Sequence, residues 1–396
     1  MKDVVSKENN KIVNEGLFII GLICFLISKF IDITMLRDEK YVYIIICALK
    51  YIGLISALIK IVLEKYNYKE YMYIVGAGAV LLITTFYTKN KFLLEYFIII
   101  ISCKNIEFKK IVKIFFWVDL FLLLLTMFEA KVGLIENFIG YRSGNKIRQS
   151  YGIIYPTDFA SQVFFIILAY MYIRDKKISI MELACVFFIG IFIYIKCDAR
   201  LDTISILLSI VLMGAYKYNL IPFNIAFLNK LVKVSFIIFQ ILMIFLTINY
   251  NKNNRIYEKM DTLLSERLSL AHDSYKQNGF KLFGQEMEYF GRGADGIPKG
   301  EKMNYLDSTF VRIFIEYGLL FMIFLAYIFY ASINRSFEIK QYLLILMILL
   351  LFVNCTIAQH FFDFSYNFII LMFFASFNGE SFIKDNKGQL YNTDLK

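Results

Sequence analysis

The sequence predicts an all-α, polytopic integral membrane protein with about twelve transmembrane helices. Three observations carry this. Apolar residues make up 59% of the 396 positions and charged residues 19%, against roughly one half and one quarter in soluble domains. Mean hydropathy is +0.59. The apolar residues are also gathered into runs close to the ~20 residues a helix needs to cross a bilayer. An excess on this scale has no aqueous surface to cover it, so it must face lipid. A cytosolic enzyme, a secreted disulfide scaffold and a disordered tail protein are excluded.

The twelve runs lie near 16–34, 41–63, 71–88, 91–103, 110–129, 156–173, 178–196, 201–219, 232–250, 307–330, 340–358 and 363–378. They spread along residues 1–396 as a single membrane domain. The first run lacks a small-residue cleavage site, so it is expected to stay as an anchor. The fourth is short. Lys50 and Lys60 in the second are expected to snorkel to the headgroups. Asp119 in the fifth is either a helix–helix hydrogen-bonding group or a functional one.

Net charge is +10. With the N-terminus inside, the inner segments carry twenty Lys and Arg and the short outer loops six, so both termini are expected in the cytoplasm. The basic excess is thus topological, with anionic headgroups as its partner. No nucleic-acid motif is present. The six cysteines are scattered, without CxxC spacing or a neighbouring His, which argues against a zinc site or a disulfide framework.

Two long segments then face outward, residues 130–155 and 251–306. Loops of this length often carry function. In the larger one, Ile256, Met260, Leu263, Leu264, Leu268, Ala271 and Tyr275 recur at spacings of three and four. This predicts an amphipathic helix lying in the interface, with Asn278-Gly279 as its stop. Residues 291–296 formally match GxGxxG. The dinucleotide reading fails because no strand or βαβ unit surrounds them, and a mobile loop is expected instead.

Outward arginines form the chemically informative set: Arg142 and Arg148 in the first long loop, Arg200 at a tight turn, Arg267 on the amphipathic helix and Arg312 in the tenth run. Arginine is permanently charged and grips phosphate oxygens through a planar fork. Several at one membrane face suit a lipid-linked diphosphate and can stabilise it as a leaving group. The plainer alternatives are headgroup contacts and pairing with Asp198, Asp202 or Glu266. Asp307 opens the tenth run, where capping and chemistry are both open. Glu316 lies deeper, within a turn of Arg312. His272 and His360 read as polar residues of the surface and interface. Tyr289, Phe290 and Tyr305 offer rings for stacking on sugars or for ordinary packing.

These residues resemble the bacterial O-antigen and capsular polysaccharide polymerases (the Wzy type) and the related O-antigen ligases. The resemblance rests on Arg142-Ser-Gly144 followed by Tyr151 to Ala160 around Pro156, and on Asp198-Ala-Arg200. It also rests on Ser265-Glu-Arg267 through Leu282-Phe283-Gly284-Gln285, and on Asp307-Ser308-Thr-Phe310 through Glu316-Tyr-Gly318. It covers about residues 130–330. Asp307 stands where the ligases carry His, which leans toward polymerase. Tyr155 and Thr157 replace the usual residues around Pro156.

The resemblance implies a GT-C-like helical fold and inverting glycosyl transfer without metal or other cofactor. The donor would be a polyprenyl-diphosphate-linked oligosaccharide at the outer face of the bacterial cytoplasmic membrane. Arg142, Arg148, Arg200 and Arg267 would hold the diphosphate. Asp307 would orient or deprotonate the acceptor hydroxyl, while Arg312, Tyr305 and Glu316 would bind substrate. A flippase and a chain-length regulator would be partners. The alternatives are a lipid-linked saccharide flippase and a ligase-type transferase.

Overall fold

The computed structural model describes residues 2–142, 146–264, 266–290, 305–377 and 380–381. The side chains of 2–10, 142, 146, 380 and 381 lie outside the description, as does the segment 291–296. The chain is mostly helical. The first five helices are α1 (Lys2–Asp32), α2 (Lys40–Leu63), α3 (Tyr68–Thr88), α4 (Phe92–Ser102) and α5 (Phe108–Val132). A hairpin of β1 (Ile139–Arg142) and β2 (Lys146–Gln149) precedes α6 (Pro156–Arg174), α7 (Ile180–Cys197) and α8 (Arg200–Lys217). Next come α9 (Ala226–Lys233), α10 (Ser235–Ile248), α11 (Arg255–Leu263) and α12 (Arg267–Asn278). The chain closes with α13 (Thr309–Arg312), a π turn (Ile313–Tyr317), α14 (Gly318–Glu338), α15 (Tyr342–Cys355), and β3 (Ser376–Phe377) paired with β4 (Glu380–Ser381).

Seven stretches among the described residues are long and apolar enough to cross a membrane, and an eighth forms if the bent pair α9–α10 is one span. This is fewer than the twelve apolar runs of the sequence. Helix α8 has the length but carries Arg200, Asp202 and Lys217. Helices α4 and α15 have 11 and 14 residues, or about 16 and 21 Å at helical rise, less than a bilayer core.

Residues 363–377 of the last run form no α-helix. They fall from one end of the bundle to the other as turns and a 3-10 stretch (Ile369–Phe373). Phe364, Ser365, Tyr366, Asn367, Phe368 and Ile369 are all fully buried. Non-helical backbone is tolerated at membrane depth only where protein encloses it. Here side chains close the turns: Asp363 accepts from Ser365 N, and Asn367 accepts from Ile369 N while donating to Phe361 O.

The helices alternate between two ends. At the loop end, Met35 N donates to Gly152 O, Arg148 meets Cys197, and Thr309 meets Ala358. At the tail end, Lys104 meets Lys65 and Glu70, Lys217 meets Ile178, and Ser376 N donates to Ile106 O. Helices α1 and α2 cross at Gly21 and Gly53, where a Cβ on Gly53 would lie 2.9 Å from Gly21 O. Such close backbone approach is a common way for helices to associate in lipid.

The expected snorkelling of Lys50 and Lys60 is corrected. Lys60 is fully buried and pairs with Glu64 at 2.9 Å, and Lys50 pairs with Glu95 at 3.0 Å. The amphipathic helix is also divided. Asp261 accepts from Leu268 N and Ser269 N, which caps a new helix, and Glu266 takes a left-handed φ of 63° between the halves. Helix α11 exposes Ile256 and Leu263, as an interfacial helix would, whereas Leu268 and Ala271 of α12 face the protein.

Candidate functional site

The start of α8 gathers much of the cationic set. The hairpin carries Arg148 inward, where its Nε donates to Cys197 O at 2.8 Å and its guanidinium lies 5.3 Å from the Tyr155 ring centroid. The Cys197 thiol reaches Gln149 O at 3.5 Å. The hairpin is thereby pinned to the α7–α8 turn. Asp198 makes that turn with a left-handed φ of 47°. Arg200 is the first residue of α8 and is exposed; among the described residues no ion pair holds it. The unsatisfied N–H groups of a helix start add a partial positive charge at this place.

Arg267 opens α12 and faces the same region. Its Nε lies 2.8 Å from Asp307 Oδ2, with both side chains about one-quarter exposed (24% and 23%). Arg267 also lies within Coulombic reach of Asp202, two residues beyond Arg200. Asp307 does not cap the helix that follows, because Ser308 does so, accepting from Val311 N.

Below this pair lies a buried polar layer. Asp202 accepts from Ser161 Oγ at 2.8 Å and Asn354 Nδ2 at 3.3 Å, and feels the charge of Asp158. Asp158 Oδ1 stands 3.6 Å from His360 Nε2, and the His360 ring sits 4.1 Å from the Tyr366 ring. His360 is therefore an interior residue that joins α6 to the final turn, not an interfacial one.

Arg312 and Glu316 form a third group, occupied with each other. Arg312 Nε donates to Glu316 Oε2 at 2.6 Å and its Nη1 to Gln359 at 3.2 Å. The guanidinium lies between the Tyr289 and Tyr317 rings. Glu316, 1% exposed, also accepts from Asn90 and from the Tyr289 hydroxyl. Burial pushes the Tyr289 phenol well above its usual range, which keeps the proton it donates. Tyr305 is buried and meets Tyr289 edge to face at 5.5 Å, so its ring is not offered to solvent. Gln359, beside His360, joins this group to the one around Asp202.

Of the sequence-derived residues, the fold thus brings Arg148, Arg200, Arg267 and Asp307 to the start of α8. Arg312, Glu316 and Tyr305 lie in the adjoining buried network. Arg142 lies on β1, its backbone paired with Lys146, and its side chain is outside the described residues. Asp158, Ser161 and Asn354 carry no motif; their signal is polarity inside apolar helices. Asp119 is fully buried and accepts from Gln162 Nε2 at 3.1 Å. A cavity of about 200 Å³ opens at the tail end, lined by Glu107, Lys109, Tyr172, Asp175, Gln341 and Tyr342 among others, away from the arginines. No family model, curated protein or solved structure matches the chain.

Proposed function

We propose that the protein is a polysaccharide polymerase, a glycosyltransferase that joins polyprenyl-diphosphate-linked oligosaccharide repeat units at the outer face of a bacterial cytoplasmic membrane. The observation that carries this reading is the Arg267–Asp307 pair, with Arg267 in Coulombic reach of Asp202 in the first turn of α8, the helix that the exposed Arg200 opens. The Lys and Arg bias supports an outward loop end and cytoplasmic termini.

In this reading the donor diphosphate binds Arg200, Arg267 and the helix start. It competes with Asp307 for Arg267, and so frees the carboxylate as the donor arrives. The acceptor hydroxyl oxygen attacks the anomeric carbon, and Asp307 takes its proton. The bond from that carbon to the diphosphate oxygen breaks, its electron pair leaves on the diphosphate, and the guanidiniums stabilise the growing charge. Arg148 positions the α7–α8 turn, and His360 with Asp158 positions the 358–360 turn against Thr309. A flippase would supply the donor and a chain-length regulator would limit the product.

Two features favour a second reading, a lipid-linked saccharide flippase. The irregular descent of residues 363–377, with only a short 3-10 helix, and the break at Gly318 are of the kind that transporters place near the midplane. A ligase-type transferase shares the proposed chemistry and differs in its acceptor.

The test is chemical analysis of lipid-linked saccharides in a deletion strain. A polymerase predicts accumulated single repeat units on the outer face. Units trapped on the inner face would instead favour a flippase.

A further inference from the structure

Away from the arginine group, two lysines share one carboxylate within the bundle. Lys29 Nζ of α1 lies 3.3 Å from Glu95 Oε2, and Lys50 Nζ of α2 lies 3.0 Å from Glu95 Oε1 of α4. We propose that this group binds the phosphate of an anionic lipid.

The argument is one of charge, donors and depth. Two ammonium groups bond to one carboxylate, so Glu95 alone does not neutralise them. Each ammonium has three N–H donors, and Glu95 takes one from each. Aromatic faces surround the rest: Lys29 lies 5.4 Å from the Phe25 centroid and 5.2 Å from Tyr96, and Lys50 lies 5.3 Å from Tyr51. A surplus cation without an anion is costly in a membrane.

The group is also open to the outside. The side chains of Lys29, Glu95 and Lys50 are 15%, 19% and 23% exposed, while Tyr51, Ile52 and Ile55 beside them on α2 are broadly exposed. Lys29 is three residues from the end of α1 at Asp32, and Glu95 three residues from the start of α4 at Phe92. Both therefore sit about 4–5 Å below the loop-end helix tips. Lys50 starts ten residues, about 15 Å, inside α2 and reaches up to the same carboxylate, so a lipid phosphate can meet both ammonium groups there while its chains lie along α2. A bulk phospholipid and a polyprenyl phosphate share this chemistry, and the inference does not depend on the polymerase reading.

Native mass spectrometry of the full-length protein in nonionic detergent tests it, with phosphatidylglycerol, polyprenyl monophosphate and neutral diacylglycerol as probes. Retention of either phosphate lipid over diacylglycerol is expected, and the better retained one identifies the source. Lys29→Gln/Lys50→Gln should lower that retention at least tenfold, and Lys50→Gln alone severalfold. Glu95→Gln, which removes the competing carboxylate, should raise it. A group that merely braces the helices predicts otherwise. Equal retention of all three lipids, unchanged retention in the lysine variants, or a loss in Glu95→Gln matching theirs would overturn the proposal.

Discussion

Gly284 and Gly318 meet backbone to backbone where the loop after α12 enters the break in the tenth apolar run. Both have left-handed φ, 94° and 86°. A Cβ on Gly284 would lie 2.6 Å from Glu316 O, and one on Gly318 would lie 2.7 Å from Lys281 O. The contact is built from hydrogen bonds that an unbroken helix would not share. Gln285 N donates to Glu316 O, Gln285 Nε2 to Ile315 O, and Leu320 N to Leu282 O. The loop thereby holds the π turn that presents Arg312 and Glu316.

Gly318→Ala should destabilise the protein by more than the ~1–3 kcal/mol of an unfavourable backbone conformation, because overlap adds to it. Gly214→Ala is the control: a Cβ there has nothing within 4 Å, and Ala gains up to about 1 kcal/mol of helix propensity. Thermal unfolding in detergent should show a clear drop for the first and none for the second.

Arg312→Met strands the buried Glu316 carboxylate and should cost about 3–5 kcal/mol, as removal of one partner of a buried pair does. Arg312→Met/Glu316→Met should recover much of that loss. Unfolding midpoints of the single and double variants check this; a double variant as unstable as the single one would mean that the pair is not what ties this region together.

Asp119→Asn should change stability by no more than about 1–3 kcal/mol and activity by no more than about twofold, since the amide oxygen can still accept from Gln162 and only the new N–H lacks a partner. Chain extension by the purified variant is the readout. Loss of extension in a well-folded protein would give Asp119 a chemical role.

Asp307→Asn should keep donor binding while lowering kcat by about 10²–10⁴, the usual contribution of a proton-accepting side chain. A raised KM with unchanged kcat would instead make Asp307 a binding group alone.

Much of the helical architecture is legible in the sequence because ~20 apolar residues in a row have few other uses. The exception, 363–378, is as apolar as a span. Hydropathy cannot separate a stretch covered by lipid from one covered by protein, and Asp363, Ser365 and Asn367, which turn the chain, are the residues a window average smooths away. The division of the amphipathic pattern at Leu264 is hidden for a related reason: the spacing continues through it, and only the cap from Asp261 marks a new start. The arginines are legible as a set through their charge and side. Their neighbours are not: Asp202 meets Asn354 across 152 residues and Ser161 across 41, distances over which a single sequence carries no pairing signal.

The proposed chemistry is tested most directly by chain length. The purified protein, reconstituted with a polyprenyl-diphosphate-linked repeat unit, should yield polymer. Arg200→Ala and Arg267→Ala, with unfolding midpoints close to the parent, should leave single units. Long-chain product from both variants would contradict the account.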